Sequence, residues 1–135
     1  MTRFYDIDEA NAAVLELEAI ASVLAEQRAE LVRLRDHALA RSPGTGHGVE
    51  PLSDDELRTL RLRMQGLVDQ MAAGVSRIDQ LGLTLRDIES GLVDFPALVS
   101  GRQVWLCWRR GETAVEWWHE LDSGFSGRRP LSELS

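Results

Sequence analysis

A chain of 135 residues, 44% hydrophobic and 27% charged, has the composition of an ordinary globular domain and is long enough to bury a core of its own. Its net charge of −7 argues against nucleic acid and anionic membranes as partners, since both are bound by placing cations on phosphates. One cysteine excludes an internal disulfide, no apolar run is long enough to span a bilayer, and the first residues lack the apolar stretch of a secretion signal, so the expected location is the cytoplasm.

The charge is unevenly placed. Residues 1–100 hold 10 Arg against 17 Asp and Glu, a balance of −7, whereas residues 101–135 hold five of each sign. All 15 basic residues are arginine; a coding bias explains this without any function.

The first element is a long helix. Asp6 with Glu9 three residues later reads as a capping box, and no Pro or Gly follows before Ala40. Ala13, Leu17, Ile20, Leu24, Gln27, Leu31, Leu34 and Ala38 recur in steps of four and three, a heptad seam broken at Gln27. Residues 41–52, RSPGTGHGVEPL, form a loop by their Gly and Pro content; His47 within it carries no role. Ser53 with Glu56 caps a second helix, whose seam is Leu57, Leu60, Met64, Leu67, Met71, Gly74, Ile78 and Leu81. Two such seams joined by a short loop predict an antiparallel hairpin with Ile20 opposite Gly74, and Gly82 is placed as the helix stop.

Beyond Gly82 the period changes. Residues 83–88 alternate apolar and polar, residues 91–95 form a second run ended by Pro96, and Ser100-Gly101 is a turn. Residues 104–109 and 114–119 flank a turn at Arg110-Gly111-Glu112-Thr113. With Gly111-Glu112 as a two-residue loop, one face carries Val104, Leu106, Trp108, Val115, Trp117 and His119, and packs on the helices. The other face carries Trp105, Cys107, Arg109, Ala114, Glu116 and Trp118, with Trp105 opposite Trp118. A slip of one residue on either strand exchanges these faces. Residues 120–135, rich in Gly, Arg, Pro and Ser, read as an irregular tail.

All four tryptophans lie between Trp105 and Trp118, around Cys107, and His119-Glu120-Leu121-Asp122 follows directly. The runs GLVDFPA at 91–97, LCWR at 106–109, GE at 111–112 and WHELDSGFSGRRPL at 118–131, with FYDIDEAN at 4–11, resemble the signature of a bacterial domain-of-unknown-function family, number 2203. The resemblance implies a small bacterial protein of no assigned activity, and it transfers no catalytic residue.

The chemistry-bearing candidates are therefore read from residue types alone. His119, Asp122 and Glu116, with Asp94 if the strands bring it near, have the donors of a divalent-metal site. Their spacing matches no zinc signature. A structural histidine bonded to a carboxylate or a carbonyl is the plainer reading. Cys107 has His119 as its only sequence neighbour able to act as a base, but the register above separates them, so it reads as a buried inert thiol. Trp105 and Trp118, with Arg109, form the expected ligand or partner face, while Trp108 and Trp117 fill the core. Asp94 is also placed to hold Arg109 or Arg128.

The expected architecture is a single α+β domain spanning 1–135. A long antiparallel helical hairpin (4–82) packs at its open end on a small antiparallel sheet (83–119). Apolar positions outside the seams, including Val14, Leu15, Val23 and Val32, call for the sheet or a second subunit, so a homodimer is expected. Two functions fit this reading. One is a non-enzymatic interaction module that self-associates and engages an unidentified protein partner, with no cofactor. The other is a small metal-dependent hydrolase built on His119, Asp122, Glu116 and Asp94.

Overall fold

The computed structural model describes residues 2–41 and 50–134. Most of the expected loop, including His47, lies outside them. Helix α1 spans Ile7–Ala40 and α2 spans Asp54–Gln80. Both open with the expected capping boxes. Asp6 accepts from the Glu9 amide while Glu9 accepts from the Asp6 amide, and Ser53 and Glu56 repeat the exchange. Gly82, at φ +76°, takes the left-handed position that ends α2, and its N–H donates to the Asp79 carbonyl. The helices run antiparallel, stitched by Glu16 with Arg77 and Glu30 with Arg63.

Their buried stripe differs from the expected seam. In α1 it is Ala10, Val14, Leu17, Ala21, Leu24 and, farther out, Leu34; Ala13 and Ile20 are only partly buried. One helix that faces both a sheet and a second helix needs a wider stripe than a two-helix seam. In α2 only Leu60 and Ile78 are buried. Gly74 lies against Leu24 rather than Ile20; a Cβ there would stand 2.9 Å from a Leu24 methyl.

Five strands form an antiparallel meander in the order β1-β2-β3-β4-β5: Thr84–Asp87, Leu92–Val99, Arg102–Arg109, Trp117–His119 and Arg129–Pro130. The α+β class and the small antiparallel sheet are as expected, with three differences.

First, Pro96 does not end β2 but sits inside it, opposite Trp105. Its carbonyl accepts from the Tyr5 amide at 2.8 Å. Within a strand, N and C=O of one residue point the same way, so the missing N–H faces the Tyr5 side and β3 loses no bond. Second, the supposed irregular tail supplies β5, and Trp118 donates from its indole nitrogen to the Pro130 carbonyl.

Third, the β3–β4 register is shifted by one residue. Trp105 pairs with His119, Leu106 with Trp118 and Cys107 with Trp117. The connection is not a two-residue turn but the irregular stretch 110–116. It is fastened to α1 where the Gly111 amide donates to Glu18 and the Val115 amide donates to Asn11. The slip turns Trp118 inward, 3% exposed, and turns Trp117 and His119 to the outer face.

The core lies between the inner sheet face and the first half of α1. Val93, Phe95, Ala97, Val104, Leu106, Trp108 and Trp118 meet Ala10, Val14, Leu17, Ala21 and Leu24, with Tyr5, Ile78, Leu83 and Val115 closing its ends. The Tyr5 hydroxyl donates to the Leu81 carbonyl at 2.6 Å, tying the N-terminal segment to the end of α2. The outer half of the hairpin extends past the sheet, leaving Leu39, Leu62 and Val68 exposed. No helix among the described residues is long and apolar enough to cross a membrane.

Candidate functional site

On the outer sheet face, three neighbouring strands each contribute one polar side chain to one spot. Asp94 on β2 pairs directly with Cys107 on β3, and His119 on β4 lies diagonally beyond. Alternation along the strands puts Val93, Phe95, Leu106 and Trp118 inward, and so sends Asp94, Cys107 and His119 outward together. All three are buried, by the C-terminal segment that folds back over this face. Asp94 and His119 are the only buried polar or charged residues of other types among the described residues.

Burying a carboxylate is costly unless it is paired. Asp94 meets this cost chiefly on one oxygen, with the Cys107 thiol as a weak donor beside the carboxylate. Its Oδ2 accepts from Arg86 Nε at 2.8 Å and contacts His119 Nε2 at 2.9 Å. Its Oδ1 is buried without a hydrogen-bond partner. The β1–β2 register shifts between Leu85 and Asp87, and Arg86 sits at that irregularity, stacked 5.0 Å over the Trp105 ring.

His119 is held from both sides. Its Nδ1 lies 2.8 Å from the Glu120 carbonyl, which only accepts, so Nδ1 donates. Its Nε2 then faces the Asp94 carboxylate, a second acceptor, and that contact needs a proton or a cation between the two atoms. The donor atoms of Asp94, Cys107 and His119 all lie within 4.8 Å of one another.

Cys107 is completely buried. Burial first, and then the negative charge of Asp94, push its thiol up to about 11; the Arg128 guanidinium pulls the other way. It is a neutral thiol near pH 7 and no free nucleophile. Arg128 is sandwiched between Trp117 and Phe125, at 5.1 and 4.9 Å, and donates to the Cys107 carbonyl and the Glu112 carboxylate. This stack holds the segment after β4 against β3.

Over the cluster opens a cleft of about 330 Å³, lined by Arg86, Leu92, Asp94, His119 and residues 121–125. A roomier hollow of about 590 Å³ lies far out on the hairpin, along Leu31, Val32, Met64 and Val68, with no buried polar group in its lining.

Of the expected metal donors, the structure unites Asp94 and His119. Asp122 stands exposed on the cleft rim and Glu116 is exposed away from the cluster. Of the expected ligand face, Trp105 is half-buried beneath Arg86, Arg109 is exposed over Phe125 at 5.4 Å, and Trp118 belongs to the core. Asp94 holds Arg86, not Arg109 or Arg128. Sequence reasoning missed Cys107 as the neighbour of His119; the correct β3–β4 register was the only signal for it.

A five-stranded meander backed by a helical hairpin, with a buried Asp–Cys–His cluster under an open cleft, defines a small α+β domain with a built polar site. The chain belongs to the family described as "Uncharacterized conserved protein (DUF2203)", which matches residues 3–131. No curated protein and no solved structure matches the chain.

Proposed function

We propose that this protein is a non-enzymatic binding module whose ligand enters the outer-face cleft and meets Asp94. One observation carries this reading: a buried carboxylate oxygen, Asp94 Oδ1, without a partner at a site that opens to solvent. Native structures satisfy nearly all buried polar atoms, so an orphan acceptor marks a place where a donor or a cation belongs. Binding is preferred to hydrolysis because Cys107 is held as a neutral thiol, both His119 nitrogens are engaged, and Glu116 lies away from the cluster. A reducing compartment such as the cytoplasm suits the lone cysteine.

The test is a thermal-shift panel of divalent cations and small primary amines on the wild type, Asp94→Asn and Asp122→Asn. Stabilisation that disappears in Asp94→Asn and survives in Asp122→Asn supports the reading. No stabilisation, or equal stabilisation of all three proteins, overturns it.

Self-association is a second part of the proposal, favoured by the outer half of the hairpin. Its two helices bury only Leu34 and Leu60, and Leu39, Leu62 and Val68 stand exposed. Such apolar surface suits a second copy, forming a four-helix arrangement. Light scattering on wild type and on Leu62→Glu decides it. A dimer mass reduced to a monomer by the substitution supports it, and a monomeric wild type at about 100 μM rejects it.

A further inference from the structure

We infer that Asp94, Cys107 and His119 form a mononuclear zinc-type site, with Arg86 as the positioning residue for Asp94. The inference rests on the cleft reading above and names its ligand as a divalent transition metal.

Three observations converge. The donor set is one sulfur, one imidazole nitrogen and one carboxylate, a mixture suited to zinc. A tetrahedral zinc at about 2.0–2.3 Å from each donor spaces those donors roughly 3.3–3.6 Å apart. The three atoms here already lie within 4.8 Å of one another, so small side-chain adjustments suffice. Next, His119 Nδ1 donates to the Glu120 carbonyl, which leaves Nε2 as the coordinating nitrogen and fixes the ring plane. Metal-binding histidines carry this outer bond almost without exception. Finally, Nε2 is directed at an acceptor oxygen 2.9 Å away, and the other oxygen of that carboxylate has no partner. A cation satisfies both.

Loading replaces the thiol proton of Cys107 and any proton shared between His119 and Asp94, and both leave to solvent. The dication is offset by the thiolate and the carboxylate, while Arg86 keeps its bond to Asp94 Oδ2. Three protein ligands leave a fourth position, and Asp94 and His119 both line the cleft, so that position is within reach of water or a small ligand.

The experiment uses the full chain, freed of metal by chelator and titrated with cobalt(II), then with zinc(II) in competition. One cobalt per chain with a thiolate-to-cobalt charge-transfer band, displaced by zinc, is the expected result. Cys107→Ser should abolish that band, and His119→Ala should weaken binding by about a hundredfold or more. Arg86→Gln should keep the band and weaken binding by roughly 10–100-fold, the size of an outer-shell effect. Because core variants can fail to fold, X-ray absorption on zinc-loaded wild type gives an independent reading: one sulfur near about 2.3 Å with nitrogen and oxygen ligands. Binding without a metal–sulfur bond, or no cobalt binding, overturns the inference. In that case, amines that still stabilise through Asp94 leave the cleft reading standing; loss of every Asp94-dependent effect removes both.

Discussion

Replacing Gly91 with alanine tests how the sheet is set on α1. Gly91 lies just before β2 at φ +68°, and its carbonyl accepts from the Arg110 amide at 3.0 Å. A Cβ at Gly91 would stand 2.5 Å from the Arg110 Cβ and 3.3 Å from the Ala21 Cβ. Neither neighbour can swing aside, because a Cβ moves only with its backbone. The left-handed conformation costs a non-glycine residue about 1–2 kcal/mol. Overpacking against fixed atoms adds about 1–3 kcal/mol. Gly91→Ala should therefore destabilise by roughly 2–5 kcal/mol.

Two other glycines separate these contributions. Gly101, at φ +77°, has open space around a new Cβ, so Gly101→Ala should show the conformational cost alone, about 1–2 kcal/mol. Gly66 lies within α2 with nothing near, so Gly66→Ala should stabilise by up to about 1 kcal/mol. Urea unfolding followed by tryptophan fluorescence measures all three, with the buried Trp108 as reporter. If Gly91→Ala costs no more than Gly101→Ala at equal m-values, the close approach of Arg110 and Ala21 is not rigid and the reasoning fails.

Trp118→Ala should cost about 3–5 kcal/mol as a core deletion, whereas Trp105→Ala should cost clearly less; equal losses in urea midpoints would contradict the observed β3–β4 register. Glu112 accepts from the Arg109 amide and from Arg128, whose side chain is only 10% exposed, so Glu112→Ala should destabilise by about 2–4 kcal/mol, and a neutral result in the same assay would deny that pair a structural part. Cys107 has a folded pKa raised from 9.0 to about 11, so the unfolded chain loses this proton first. Its stability contribution is complete below pH 9 and is lost as pH rises toward about 11. Tyr5, also raised, adds a loss of the same sign from pH 10 upward. In the metal-free protein, Cys107→Ala should flatten the alkaline limb of the stability–pH curve, and an unchanged limb would refute the assignment.

Both helices were legible to within a residue, because capping boxes, a 3.6-residue period and a stop glycine are local signals that tertiary packing reinforced. The helical seam was read too narrowly, since the sequence does not say that α1 serves two neighbours. The inner face of β3, Val104, Leu106 and Trp108, was legible from alternation, whereas β2 was read only as a short run that stopped at Pro96. The register of β4 was not legible. A Gly-Glu pair suggested a tight turn, but the path of residues 110–116 depends on Asn11 and Glu18, about a hundred positions away in the chain. That one-residue difference separated Cys107 from His119 in the sequence reading and placed Trp118 outside. Arg86 escaped notice because its reach to Asp94 depends on an irregularity in β1, which no residue pattern announces.

The borders of the sheet have a consequence for how copies of this chain can meet. A free strand offers a row of unpaired amides and carbonyls to any neighbour, the usual route to runaway aggregation. Here one border is the four-residue β1 with its shifted register, followed along β2 by the Tyr5 amide bonded to Pro96. The opposite border is only Arg129 and Pro130, one of which lacks an amide hydrogen. Both margins are blunted as templates for a further strand. Strand addition is thereby disfavoured on both sides, and the self-association proposed above falls to the exposed apolar positions of the helices, where it would stop once they are covered.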